Sequence, residues 1–307
     1  MKICVTGGAG FIGSHIADAY IAQGHSIAVI DNLSSGKKEN INPAATFYHC
    51  DILSPEIAEI FERERFDILN HHAAQMDVRV SVRNPKFDAT TNILGGLNLY
   101  EAAKNSGVKK ILFASSGGTV YGEQLHFPAA ENHPAHPVSP YGISKLSNEH
   151  YLYYYHSEYG IDFVALRYGN VFGPRQNPHG EAGVVAIFTK KLLEQSQPVI
   201  NGDGLNTRDY VYISDVVAAN LATLQPGISG AYNVGTGTET TVVEIFDRLN
   251  ELTGGQFHRL HGEAKPGEQR RSVISSEKLT RDTRWKPAVA FADGLAETVE
   301  FFRKQKQ

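Results

Sequence analysis

Thr6-Gly7-Gly8-Ala9-Gly10-Phe11-Ile12-Gly13 is the stretch on which the fold of this 307-residue chain turns. Ahead of it runs Lys-Ile-Cys-Val-Thr at 2–6, short and apolar like a strand. Behind it, Gly13 to Gln23 spaces its apolar residues as a helix does, until Gly24 stops it. Strand, glycine turn and helix in this order make a cradle for a pyrophosphate. Gly7 suits the tight turn, Gly10 lets the backbone approach the phosphates, and Gly13 lets helix and strand pack closely. Phe11 and Ile12 open the helix, whose N-terminus faces the anion. Asp31 ends the next strand-like run, Ser26 to Ile30, where a carboxylate can bind both ribose hydroxyls and would repel a 2′-phosphate. The cofactor expected is therefore NAD rather than NADP. Asp31 could instead merely start the turn DNLSSG, with Lys37 and Lys38 attracting a phosphate, but the order of elements argues against that.

The same alternation continues outward. Thr46–Cys50, Ile68–His71, Lys110–Ala114 and Phe163–Arg167 repeat the strand pattern with helical stretches between the earlier ones. This predicts an α/β fold, a Rossmann-type doubly wound parallel sheet. After Phe163–Arg167 the loop RYGNVFGPRQNPHGEAG crowds Gly, Pro and Asn together. A boundary near Gly169 follows, with residues 1–169 as the NAD-binding domain and 170–307 mainly as a smaller α/β substrate domain. Helices are predicted over Val184–Gln195, Ser214–Leu224 and Asp293–Lys304, and a strand over Pro198–Asn201. Segments near 207–240 are expected to return to the first domain, with a strand at Ala231–Val234.

Composition removes several classes of function. With 33 acidic against 29 basic residues the formal charge is −4, and no block of like charge stands out, so nucleic acid is not an expected partner. Cys4 and Cys50 lie in apolar strand-like runs and read as small buried hydrophobes. The 13 histidines are scattered. His71 and His72 adjoin at a strand end, His133 and His136 lie in a Pro-rich loop, and no ligand spacing links them, so no metal is expected. No apolar run reaches transmembrane length. Met1 leads straight into the first strand, which predicts a protein without a leader segment and cytoplasmic.

Tyr141-Gly142-Ile143-Ser144-Lys145 puts a phenol and an ammonium four residues apart after Pro140, at the start of a helix and on one face of it. Such a pair alone is common by chance. Here it follows a dinucleotide fingerprint, and Ser115-Ser116 closes the intervening strand, where a substrate hydroxyl contact is needed.

With these motifs in place the chain resembles the extended short-chain dehydrogenase/reductases, the NAD-dependent epimerase/dehydratase family, and within it the UDP-glucose 4-epimerase branch. The resemblance spans nearly the whole chain: TGGAGFIG, DNLSSG, HHAAQ at 71–75, NILGGLNLYEAA at 92–103, SSGGTVYGE at 115–123, SPYGISK at 139–145, RYGNVFGPRQ at 167–176, NTRDYVYISDV at 206–216 and KPGEQRRS at 265–272. It implies that Tyr141, as phenolate, takes the proton from the sugar 4-hydroxyl while hydride leaves C4. The 4-keto sugar then turns over and hydride returns to its other face. The phenol's ordinary pKa of about 10 must fall for this, and a cation at about 4 Å in an effective dielectric near 20 supplies on the order of 4 kcal/mol. Lys145 is that cation, helped by the oxidised nicotinamide, and by resemblance it also binds the ribose. Ser116 is assigned the hydrogen bond to O4, with Ser115 and Thr119 as alternatives, because Gly117-Gly118 leaves the register open.

Further cofactor contacts implied are Asn32, Ser34, Ser35 and Gly36, Asp51 and Ile52 beside the adenine, Ala73, Ala74 and Gln75 along the pyrophosphate and ribose, and Asn92 holding loop backbone. On the UDP-sugar side the resemblance points to Asn170, Val184, Arg208, Lys265, Glu268 and Ser272. Met76 departs from relatives that carry a lysine near the nicotinamide. The rival reactions, 4,6-dehydration and decarboxylation, begin with the same oxidation. Dehydratases place an Asp-Glu pair after the catalytic hydroxyl, whereas Gly117-Gly118 cannot transfer protons, which favours epimerisation. A non-enzymatic NAD sensor is disfavoured because Tyr141 and Lys145 are retained. Ser272 is small where a tyrosine would restrict the site to simple hexoses, so an N-acetylated sugar pair is expected as well. A homodimer through the helices after Pro85 and Tyr141 is also implied.

Overall fold

In the computed structural model, which describes residues 1–178, 183–264 and 269–305, the apolar runs pair as one parallel sheet. Its strands are β1 (Lys2–Thr6), β2 (Ser26–Asp31), β3 (Thr46–His49), β4 (Ile68–His71), β5 (Lys110–Ser116), β6 (Asp162–Tyr168) and β10 (Gly230–Val234), in spatial order β10-β6-β5-β4-β1-β2-β3. The order reverses beside β1, which is flanked by β2 and β4. Open α/β sheets bind ligands at such a switch point, outside the carboxyl ends of the strands.

Both faces of the sheet are covered, so its strands are apolar on both sides. The helices are α1 (Phe11–Ala22), α2 (Glu56–Glu64), α3 (Val78–Arg83), α4 (Pro85–Ala89), α5 (Gly95–Ser106), α6 (Pro140–Tyr159), α7 (Val184–Leu193), α8 (Ile213–Thr223), α9 (Val242–Leu252), α10 (Glu277–Thr283) and α11 (Phe291–Gln305). Cys4 turns to a layer built from α2, α5 and α6, with Phe61, Leu99 and Leu152. Its neighbours Ile3 and Val5 face the opposite layer, with Ile16 and Tyr20 of α1 and Val216 of α8. That alternation is the two-residue period of a strand.

β5 ends on the serine pair, as the sequence suggests. β5 continues past Ala114 because Ser115 and Ser116 pair with Arg167 and Tyr168 of β6. This sets Ser116 at the carboxyl edge, beside the switch point. After Tyr168 the chain leaves the sheet for a smaller one of β7 (Asn170–Phe172), β9 (Thr207–Tyr212) and β11 (Glu239–Thr241), and returns with β10. Two short strands, β8 (Ile200–Asn201) and β12 (His261–Gly262), pair separately. A third core, with Phe188, Phe246 and Leu295 from α7, α9 and α11, backs the smaller sheet. Among the described residues no helix is long and apolar enough to cross a membrane.

Candidate active site

Gly7 and Gly13 occupy positions that other residues could not. Gly7 has φ +70, and a Cβ there would lie 2.6 Å from Ala73 N; a Cβ on Gly13 would collide with Gly7 O. The bend therefore brings β1, α1 and the loop after β4 into backbone contact. Gly10 begins α1 with no side chain capping its first turn, which leaves the helix N-terminus available to an anion. Asp31 is buried at the end of β2. Its Oδ2 accepts Ala9 N at 3.0 Å and its Oδ1 accepts Leu33 N at 2.8 Å, so it braces the glycine loop. Asn32 Nδ2 donates to Asp51 Oδ2 at 2.7 Å, and Asn32 Oδ1 accepts Ser34 N at 3.0 Å. Ser34 and Ser35 are exposed beside Gly36. Ile52 is buried in the α2–α5 layer, where a Cβ on Gly95 would meet it. An uncapped helix N-terminus, a glycine bend without room for side chains and an acid at the end of β2 fit a dinucleotide.

A second polar cluster lies on the other side of β1. Thr6 Oγ1 pairs with His71 Nδ1 at 2.8 Å and accepts Ala73 N at 3.3 Å, next to Ala74. His72 stacks on Tyr168, and burial pushes it down to about 3, so it is a neutral imidazole. Asn92 holds the loop at Gln75 from both sides: its Oδ1 accepts Gln75 N at 2.8 Å and its Nδ2 donates to Gln75 O at 2.9 Å. Asn92 sits in a π turn, Thr90–Leu94, between α4 and α5. Such turns often mark functional positions. Met76 follows this loop and is exposed.

Ser139 caps α6, accepting Gly142 N at 3.1 Å, and Pro140 opens it with its φ preset for the helix. Tyr141 and Lys145 consequently lie one turn apart on the face toward β5. Lys145 Nζ donates to Ala114 O at 2.8 Å and stands 5.5 Å from the Tyr141 ring centre and 4.8 Å from that of Phe113. Burial pushes Lys145 down to about 8, opposed by the negative charges of Asp88 and Glu149. Burial raises the Tyr141 phenol above its ordinary value, and Asp88 adds to the rise. Both shifts run against the charged forms, because burial disfavours a phenolate and an ammonium alike. Dehydration of a phenolate outweighs a cation whose closest bond goes to a backbone carbonyl.

The three hydroxyls considered for O4 have different surroundings. Ser115 Oγ donates to Glu149 Oε1 at 2.5 Å, and Glu149 is paired with Arg167 at 2.6 Å, all buried. Thr119 Oγ1 is buried without a hydrogen-bond partner among the described residues. Ser116 is half-buried at the sheet edge, and a Cβ on Gly118 would lie 3.9 Å from Ser116 Oγ and 3.6 Å from Asn170 Oδ1. Gly118 thus leaves open the space between Ser116 and the smaller sheet.

On that sheet Asn170 begins β7 and aligns with Tyr210 of β9. Arg208 aligns with Thr240, and its guanidinium donates to Thr207 O at 2.7 Å. Val184 starts α7. Ser272 is buried, in a segment that Thr207 N holds at Arg270 O (3.0 Å) and Gln124 Oε1 holds at Val273 N (3.1 Å). Lys265 and Glu268 lie outside the described residues. Sequence reasoning did not single out Asp88, Glu149 or Arg167. Glu149 carried a weak signal, four residues beyond Lys145 on the same helical face, whereas Asp88 carried none.

Comparison with known proteins agrees with this geometry. Residues 3–235 match the model of the NAD dependent epimerase/dehydratase family. UDP-glucose 4-epimerase from Thermotoga maritima, in a crystal structure with UDP-glucose, is 47% identical, with a TM-score of 0.98 over 100% of both chains. The UDP-glucose 4-epimerase of Thermus thermophilus, in complex with NAD, is 44% identical, with a TM-score of 0.94 over 99% of both chains. UDP-N-acetylglucosamine 4-epimerase from Methanobrevibacter ruminantium, in complex with UDP-N-acetylmuramic acid, is 36% identical, with a TM-score of 0.94 over 99% of this chain and 98% of the other.

Proposed function

Since the chain belongs to the NAD dependent epimerase/dehydratase family, we propose that it is a UDP-sugar 4-epimerase that interconverts UDP-glucose and UDP-galactose, and the N-acetylated pair, through a 4-keto intermediate. The observation that carries this reading is Lys145 reaching Ala114 O on β5, the strand that ends at Ser116, with Tyr141 one turn away on α6, and Gly117-Gly118 where a dehydratase needs an acid and a base. NAD, when bound, supplies the redox chemistry, taking hydride from C4 and returning it to the opposite face. Gly7, Gly10, Gly13 and the first turn of α1 would hold its pyrophosphate and Asp31 its ribose, while Asn92 fixes the loop at Gln75. Tyr141 accepts the 4-hydroxyl proton as C4 is oxidised and gives it back as C4 is reduced. Lys145 favours the phenolate electrostatically, and a bound oxidised nicotinamide would add a second positive charge against the dehydration that raises the phenol. Ser116 orients O4.

We assign the cofactor to residues 1–169 with the returning strand β10, and the sugar nucleotide mainly to 170–307. Asn170, Val184 and Arg208 line its side, and the Arg208 guanidinium suits a diphosphate because it can bind two oxygens at once. Lys265 and Glu268 complete the set by resemblance. We place the enzyme in the cytoplasm, as a homodimer.

The test is incubation of the protein with UDP-glucose and, separately, UDP-N-acetylglucosamine, with the C4 configuration read by NMR. UDP-galactose and UDP-N-acetylgalactosamine are expected. Tyr141→Phe should lower kcat by about 10²–10⁴, the span of general acid–base catalysis, with NAD binding retained. A 4-keto-6-deoxy product, or Tyr141→Phe turnover within a few-fold of wild type, would overturn the assignment.

A further inference from the structure

Asp88 belongs to none of the motifs, yet three segments of the catalytic centre meet at its carboxylate. α4 buries it completely, at 0% exposure. Its Oδ1 accepts Gln75 Nε2 and Asn92 Nδ2, each at 3.0 Å, and its Oδ2 accepts Ser144 Oγ at 2.6 Å. Gln75 lies in the loop after β4, Asn92 in the π turn, and Ser144 directly precedes Lys145 on α6. Asn148 extends the cluster, donating to Asn92 O at 3.0 Å and Ser144 O at 2.8 Å while its Oδ1 accepts Tyr100 OH at 2.7 Å. A buried carboxylate with this many donors is costly to disturb, because each donor would lose a charge-assisted partner inside the fold.

We propose that Asp88 is a positioning residue of the epimerisation centre, and that its buried negative charge sets the pH window in which Tyr141 and Lys145 work. This rests on the function proposed above. The geometry supplies the positioning: one carboxylate spans the cofactor loop, the π turn and the catalytic helix. The charge acts on both members of the pair, opposing ionisation of Tyr141 and favouring the ammonium of Lys145. The other titratable groups facing the pair and its hydrogen-bonded cluster are Glu149 on α6 and His71 and His72 at the end of β4, which act on Lys145, Tyr100 on α5, which bonds Asn148, and Asp77 in the loop, whose backbone bonds the Gln75 side chain. Arg79 and Arg83 of α3, and Lys86 of α4 itself, are exposed.

The sign of the effect follows. Neutralising Asp88 lowers the pH at which Tyr141 gives up its proton and also the pH at which Lys145 loses its charge, so both limbs of the pH profile move the same way. In the NAD-saturated full chain, Asp88→Asn should shift both limbs of kcat for UDP-glucose to lower pH by about one unit, the order expected for losing one nearby buried charge in an effective dielectric near 20. A fall in kcat on the order of tenfold should accompany it. Ultraviolet difference titration of the Tyr141 phenolate, with Tyr141→Phe subtracted, reads the same shift without turnover. Ser144→Ala keeps the charge and removes one hydrogen bond, so it should lower kcat several-fold and leave the limbs in place. Asp88→Ser serves as the neutral variant if asparagine is not tolerated. Limbs and phenolate titration that stay put in the neutral variants would overturn the proposal, as would an equal shift in Ser144→Ala. Wild-type protein that fails to convert UDP-glucose would sink the proposed function, while the phenolate titration would still decide the role of Asp88.

Discussion

Ser272 shows how much a single position can decide. It is buried, in a segment whose flanks are tied to β9 through Arg270 and to the 122–131 loop through Val273, so the backbone there has little freedom to yield to a larger side chain. Arg271 is committed as well, to Glu239 at 2.7 Å and over the Phe127 ring at 3.8 Å. Added bulk at 272 must therefore go into the space beside the segment, which we assign to the sugar's C2 substituent. Ser272→Tyr is expected to lower kcat/KM for the N-acetylated pair by about 10–200-fold relative to the glucose/galactose pair, the usual range for steric exclusion in a pocket. Steady-state comparison of both pairs checks this, and equal losses on both would count against it.

At the level of elements, the catalytic helix is held to the sheet at two successive turns. Lys145 reaches Ala114 O, and one turn later Glu149 receives Ser115 and Arg167. The Glu149–Arg167 side chains are only 7% and 8% exposed, so the pair is worth little against an apolar replacement but is costly to leave half-made. Arg167→Leu should lower stability by about 3–5 kcal/mol, read from the urea midpoint. Glu149→Leu with Arg167→Leu should recover much of that loss, because no unpaired charge is then buried. A double variant less stable than Arg167→Leu would mean that the pair itself stabilises the fold. α1 is anchored differently: Arg175 beyond β7 donates to Ser14 Oγ at 3.2 Å and Asp18 Oδ2 at 2.8 Å, which ties the loop after the smaller sheet to the cofactor helix.

Over the whole molecule, apolar side chains remain in the open on one side of the catalytic helix. Ile143, Tyr151 and Tyr154 are exposed on α6, with Val82, Phe87 and Leu94 on the adjoining α3, α4 and π turn. The buried positions of α6, among them Lys145, Asn148, Leu152 and Tyr155, form its other face. A stripe of this kind over neighbouring helices suits burial against a second copy. Sedimentation at micromolar concentration should give a homodimer, and Ile143→Glu with Tyr154→Glu should give a folded monomer. A monomeric wild type would refute the assembly.

Local patterns in the chain determined the parallel sheet, the glycine bend, the acid closing β2 and the Tyr141–Lys145 helix, because each depends on residues a few positions apart and on periods of two or 3.6. They also carried the resemblance through which the chemistry was recognised. Tertiary structure decided what lies between distant segments. Ser115 belongs to Glu149 only because β5 extends two residues to pair with β6, and Asp88 acquires its role from Ser144, 56 residues away. Tyr141 followed the same rule: spacing brings the ammonium near, but burial and the charge of Asp88 on another helix push the phenol up. Hydrophobic periodicity is written in neighbouring residues, whereas desolvation and buried hydrogen bonding are set by whatever the fold brings together.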